Sequence, residues 1–227
     1  MKAVPPGKTF KGLSYGDWVA IWSNWLISRD VDSYNGGDML FLRGYIGYKA
    51  VSEDGAMRYQ DPDSVLDRTG DKKLNILKGT SVFVPATASI KSIGDLFEGH
   101  VIENEEDLRK VVNDDISDIR LIWARVKMNH SNESVKLVPN LRSYRIETPI
   151  FKLTVPEDSA LNNRFDDPLK PGVYDTVVGG YFILLPDLAP STYQIDFGCE
   201  GPGDYSTRGV YDIEVYRDTR KEPSDIS

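Results

Sequence analysis

Three tryptophans on one short stretch constrain this chain more than anything else in it. Trp18, Trp22 and Trp25 fall within SYGDWVAIWSNWLISR, Ser14 to Arg29. At about 100° per residue, Trp18, Ile21, Trp22, Trp25 and Leu26 share an arc of roughly 140°, with Asp17, Ser23 and Asn24 outside it. Ser14 and Asp17 have the spacing of a capping box, in which each side chain satisfies the other residue's backbone N–H. The stretch therefore reads as an amphipathic helix. Burying one tryptophan removes about 150–250 Å² from water, worth roughly 4–6 kcal/mol as an upper estimate. Three indoles on one face cannot remain in water, so the helix must lie against something.

What the rest of the chain offers is strands. Met39 to Tyr48 is rich in β-branched and aromatic residues, and Asn75 to Pro85 reads as a turn at Lys78-Gly79 followed by a buried strand through Val82, Phe83 and Val84. Further on the period is two. Tyr144 and Ile146 alternate with Arg145 and Glu147; Phe151, Leu153 and Val155 alternate with Lys152 and Thr154; Tyr193, Ile195 and Phe197 alternate with Gln194 and Asp196. Ile119–Met128, which carries Trp123, Val135–Val138 and Val210–Tyr216 read as further strands. Thr176 to Pro186, TVVGGYFILLP, is nearly unbroken in its apolar character, the mark of a central strand buried on both faces. A second, short helix is expected over Asn104 to Asp115, capped by Asn104 and turning Leu108, Val111 and Val112 inward. Short strands separated by Pro, Gly and Asp turns predict an all-β fold: an antiparallel β-sandwich, jelly-roll-like, with the tryptophan helix packed on one sheet or closing one end.

The ends and loops complete the expected layout. Residues 1–13 hold Pro5-Pro6, two glycines and three lysines without an apolar period, and read as an extended arm whose Pro5, Pro6 and Phe10 are placed to dock on a neighbour. Residues 14–216 form the sandwich domain and 217–227 a polar tail. Ala50 to Lys73 reads as a charged surface excursion. In the loop from Asp30 to Asp38, Asp30 and Asp32 begin like a calcium loop. Asn35 and Phe41 stand where its glycine and bidentate acid belong, leaving a solvated turn or some other oxygen-ligand cation site.

The inventory for chemistry is thin. His100 and His130 sit in polar settings that suit surface loops. No H-E-x-x-H, G-x-S-x-G or Walker pattern occurs, and Gly179-Gly180 lies inside a strand pattern with no helix following to cradle a phosphate. Asp166 and Asp167 share a loop with Asn162, Asn163 and Arg164. That loop reads as a solvated connection, with a glycan site, a cation site or a hydrolase's carboxylates as its sharper readings. No catalytic residue, cofactor site or metal site is assigned. A single cysteine, Cys199, allows no internal disulfide. The N-terminus lacks a signal peptide's apolar region, and no apolar run reaches the roughly 18 residues that cross a bilayer. A net charge of −8 opposes binding to a phosphate backbone, so neither nucleic acid nor membrane is an expected partner.

Taken in order, YGDWVAIWSNWLISRD, MLFLRG, LKGTSVFVPAT, IFKLTVPEDSAL, GGYFILLPDLAPSTYQIDFG and YDIEV resemble an uncharacterised family of microbial and tailed-phage proteins. The resemblance runs from about Tyr15 to Val215. Secreted bacterial members carry a signal peptide and cysteines near the first strand, which this chain lacks; signal-less versions are similar to proteins encoded by tailed cyanophages. The resemblance implies a β fold and no catalytic residues. It also implies a virion role: a non-enzymatic capsid, neck, tail or baseplate component assembled in the host cytoplasm. Such a component would touch other virion proteins and form a homo-oligomer. The alternative function is a carbohydrate-binding module, in which exposed Tyr or Trp rings on a sheet face, beside Asn, Asp or Arg, would stack on a glycan.

Overall fold

The two strands with unbroken apolar runs need cover on both faces, and the architecture follows from how that cover is supplied. The computed structural model describes residues 2–28, 37–44, 49–51, 57–59, 63–68, 73–97, 100–128, 135–138, 140–159, 170–202 and 206–217, with only the backbone for 49–51, 57–59, 63–68, Leu96 and Lys136. Helix α1 spans Tyr15–Ile27 and α2 Glu105–Ser117. The strands are β1 Met39–Phe41, β2 Lys49–Val51, β3 Met57–Tyr59, β4 Asp63–Arg68, β5 Leu74–Leu77, β6 Ser81–Ser92, β7 Leu96–Phe97 and β8 His100–Val101. They continue as β9 Leu121–Met128, β10 Val135–Lys136, β11 Arg145–Glu147, β12 Phe151–Val155, β13 Gly172–Leu185, β14 Ser191–Glu200 and β15 Ser206–Tyr216.

Two sheets pack face to face. A central sheet runs β1-β6-β13, with β11 and β12 sharing the far edge of β13. An outer sheet runs β10-β9-β14-β15, with β4 and β5 sharing the far edge of β15. Val82, Val84, Ile183 and Leu185 of the central sheet meet Ala124, Val126, Ile195, Phe197 and Ile213 of the outer one in a single core. On its opposite face the central sheet presents Phe83, Val178, Phe182 and Leu184, and α1 covers them. Helix α2 lies on the same side as the outer sheet, where Leu108 and Val112 pack on Val177. The all-β sandwich is thus the fold, with both helices as covers.

The sheets are mixed, which corrects the antiparallel expectation. β1 runs parallel to β6, and β4 and β5 run parallel to β15. Parallel neighbours need a long crossover, and residues 42–80 supply one, leaving the central sheet after β1 and returning to it only at β6. The supposed surface excursion from Ala50 to Lys73 is the middle of that crossover and contributes β3 and β4, with β2 beginning just before it. Its charged sequence hid the strands because ladder bonds come from the backbone and not from the side chains.

Pro85 does not end its strand either. β6 continues to Ser92, because the register against β13 shifts there: Phe182 lies opposite Pro85 and Tyr181 opposite Thr87, so Ala86 is the extra residue of a bulge. A bulge accommodates a residue that has no N–H to give to a ladder. The turn before β6 is as expected, with Gly79 at φ +92°.

Helix α1 has its capping box, but its buried face is rotated. Ser14 Oγ accepts from the Asp17 N–H, and Asp17 Oδ2 accepts from the Ser14 N–H at 2.8 Å. The buried residues are Tyr15, Trp18, Val19, Trp22, Ser23, Leu26 and Ile27, while Ile21 is 41% exposed. The face thus turns by roughly 70° toward Ser23 relative to the arc set by apolarity alone. Ser23 Oγ donates to the Val19 carbonyl at 2.8 Å, so the hydroxyl is satisfied within the helix and its small size lets the helix sit close to the sheet. Trp22 packs on Phe182 at a centroid distance of 5.6 Å and donates its indole N–H to the Leu42 carbonyl at 2.8 Å. A Trp22→Ala variant should lose about 3–5 kcal/mol of stability in urea unfolding. Ile21→Ala should lose less than about 0.5 kcal/mol. Equal losses would contradict the rotated face.

Candidate functional site

The residues singled out from the sequence gather on the outer side of the central sheet, where they act as fasteners. Val4 N–H donates to the Leu184 carbonyl at 3.0 Å, extending the edge of β13 beyond β11. Tyr15 completes that junction: its hydroxyl donates to the Val4 carbonyl at 2.7 Å and accepts the Leu184 N–H at 3.1 Å. Burial and the nearby Tyr144 hold the Tyr15 hydroxyl well above the usual phenol range, against the backbone hydrogen bond that lowers it. Phe10 lies against Trp18, whose indole N–H donates to the Phe10 carbonyl at 3.1 Å. The segment expected as an arm thus lies along its own domain, with Pro5 exposed and Pro6 half-buried. Trp25 is partly buried beside Phe41, at 5.5 Å between centroids.

Asn24, outside the apolar arc, closes the other short edge. Its Oδ1 accepts the Thr154 N–H at 3.0 Å and its Nδ2 donates to the Ala20 carbonyl, pinning α1 to β12. The Gly179-Gly180 pair has a packing role. A Cβ at Gly179 would come within 2.5 Å of Val112 Cγ1, and one at Gly180 within 2.3 Å of the Thr87 carbonyl oxygen, so the glycines seat α2 and the neighbouring strand. His100 is exposed on β8. The Asp30/Asp32 loop, the Asn162–Asp167 loop and His130 lie outside the described residues.

A different cluster, on the solvent side of the outer sheet, has the character of a site. Strand alternation sends Leu121, Trp123, Arg125 and Lys127 of β9 outward while Ala124 and Val126 enter the core. In register, Trp123 lies opposite Gly198 and Gly198 opposite Arg208; one row along, Arg125 lies opposite Asp196. Trp123 and Arg208 therefore face each other across a glycine. A Cβ on Gly198 would come within 2.7 Å of Trp123 Cζ2, so the bare backbone is what lets the indole lie low on the sheet. Both flanking groups then turn to Asp196: the Trp123 indole N–H donates to Oδ1 at 3.0 Å, and Arg208 donates to both carboxylate oxygens at 2.9 and 2.7 Å.

Partial burial pushes the Asp196 carboxyl up. The hydrogen bonds from Arg208 and Trp123, with the charges of Arg208 and Arg125, outweigh that and hold it below the usual carboxylate range. The alternation of β9 was the signal in the sequence for this cluster; what it could not give was the partner strand that brings Asp196, Gly198 and Arg208 beside Trp123. Among the described residues, no three His, Cys, Asp or Glu side chains gather as metal ligands would, and no helix is long and apolar enough to cross a membrane.

Compared with known proteins, the chain matches no protein-family model, no curated protein sequence and no solved structure.

Because the folded-state value of Asp196 is depressed, its ionised form adds stability that is present above the unfolded value, about pH 3.9, and is lost as pH falls through the lower folded one. The melting-temperature gap between wild type and Asp196→Asn should be widest near pH 7 and shrink below about pH 4. Thermal melts across that range check it, and a gap independent of pH would contradict the ion pair.

Proposed function

We propose that this protein is a non-enzymatic virion component, an accessory capsid, neck, tail or baseplate protein that works through protein–protein contacts as a homo-oligomer among other virion proteins. The reading begins from the sequence resemblance to signal-less tailed-phage proteins. The observation that carries it is the contrast between two edges that the chain itself covers and one margin that exposes apolar side chains. An uncovered edge invites another chain to pair or pack, and proteins that stay single cover it. In the central sheet, Val4 and Tyr15 occupy the free end of β13, and Asn24 occupies the edge of β12.

At the outer sheet's β10 margin the treatment differs. β10 is two residues long against the eight of β9. Val135 lies opposite Val126, which puts it diagonal to Met128. Val135 is 64% and Met128 52% exposed. Apolar side chains at such a margin are what a protein-facing surface presents. The occupant we assign to this edge is a second copy of the chain. The domain surface and the exposed arm residue Pro5 serve the other particle proteins, and assembly takes place in the host cytoplasm.

Two measurements test the proposal. Light scattering should show a concentration-dependent oligomer that Met128→Lys combined with Val135→Lys converts to monomer while moving the melting temperature by only a few degrees. Mass spectrometry of purified particles should find the chain at a fixed stoichiometry. A wild type that is monomeric at all concentrations overturns the self-association, and absence from particles overturns the virion role.

A further inference from the structure

The Trp123 cluster goes beyond protein–protein contact, because its parts are those of a small-ligand platform. The indole is fixed in two ways, by the close approach over Gly198 and by the N–H bond to Asp196, and it remains only partly buried on the solvent side of the sheet. A rigid aromatic plate lying low on a flat surface suits a flat, partly apolar ring better than a protruding side chain, which needs a pocket to enter. The axial C–H groups of a pyranose present such a face. Charge selects among such rings. The carboxylate of Asp196 is answered by the two-pronged hydrogen bonding of Arg208, and the nearby Asp212 accepts from Gln194 at 3.0 Å. Two further basic side chains, Arg125 and Lys127, follow Trp123 along the same face of β9; Arg125 is exposed and lies opposite Asp196, to which it adds its charge beside that of Arg208.

Alternate residues on a strand stand roughly 7 Å apart, so a ring stacked on Trp123 brings a carboxylate at its margin within reach of the Arg125 guanidinium. A planar guanidinium pairs with a carboxylate through two parallel hydrogen bonds. The geometry points to a binding site for an acidic saccharide, a uronic-acid-type pyranose, stacked on Trp123 with its carboxylate on Arg125. In this site Asp196 and Arg208 are positioning residues: they hold the plate and do not touch the sugar. The chain's overall charge of −8 does not favour an anionic ligand in general, so binding depends on this local arrangement.

The test uses the full chain with trigalacturonate as the acidic probe and maltotriose as the uncharged one, read by isothermal calorimetry and by the indole N–H resonance of Trp123. Trigalacturonate should bind saturably and shift that resonance, with maltotriose at least about tenfold weaker, equivalent to about 1.4 kcal/mol. Arg125→Ala should weaken trigalacturonate by about tenfold and leave maltotriose unchanged. Arg125→Lys should restore part of the loss. Trp123→Ala should remove binding of both sugars; should that variant not fold, the Arg125 pair carries the test, since the side chain is exposed and its loss leaves the core intact. No binding of trigalacturonate at millimolar concentration overturns the inference, as does equal binding by wild type and Arg125→Ala. A Trp123 resonance that moves only on self-association also overturns it, by assigning the plate to a protein neighbour. None of these readings depends on whether the chain is found in particles.

Discussion

The pairing of β6 with β13 is the constraint from which the rest of the architecture follows. Over Val82–Val84 and Phe182–Leu185 both faces of the pair are apolar and fully buried, so a single covering layer would leave half of that surface in water. The outer sheet supplies one cover and α1 the other. A tryptophan-rich helix suits the second position because each indole combines a large apolar area with one N–H that must be satisfied. The Trp18 and Trp22 donors go to backbone carbonyls at Phe10 and Leu42, segments on either side of the helix in sequence. The same rings that cover the sheet therefore also fix the chain entering and leaving the helix.

Polar side chains complete what the indoles begin. Tyr15, Ser23 and Asn24 make hydrogen bonds that bring α1 close to the sheet or attach it to a strand edge. The β13 and β12 edges of the central sheet are thereby held by its own chain, while the outer sheet exposes apolar side chains at its β10 margin and a partly buried tryptophan on its solvent side. On α2 a comparable network works inward. Arg109 bonds Glu105 and Glu147, and Arg145 donates to Asn113, tying the helix to β11 above its glycine seat. The buried phenol of Tyr211 makes a similar link across the sandwich, donating to the Arg43 carbonyl at 2.7 Å.

The parts of this structure legible in the sequence were those set by local periodicity. The α1 capping box, the Asn104 cap of α2, the turn at Gly79 and the two-sided burial of β13 each depend on residues close together in the chain. Features set by pairing across distance were not legible. The parallel neighbours β1, β4 and β5 depend on where a crossover returns. The continuation of β6 past Pro85 depends on a bulge defined by its partner. The rotation of α1 toward Ser23 arose because a small residue bonded within its own helix packs as closely as an apolar one. For the outer-face cluster, Trp123 was visible on its alternating strand, but Asp196 and Arg208 became its partners only through registers linking three strands.

The central claim is that α1 is an integral second cover of the central sheet, as firmly held as the strands beneath it. Site-resolved hydrogen exchange tests this most directly, because opening free energies distinguish a fixed layer from a detachable one. The claim requires the Trp22 indole N–H to exchange as slowly as the amides of Val84 and Ile183, with the Trp123 indole N–H exchanging much faster. Rapid exchange at Trp22 while those strand amides stay protected would contradict it, by showing a helix that lifts away from a sheet stable without it.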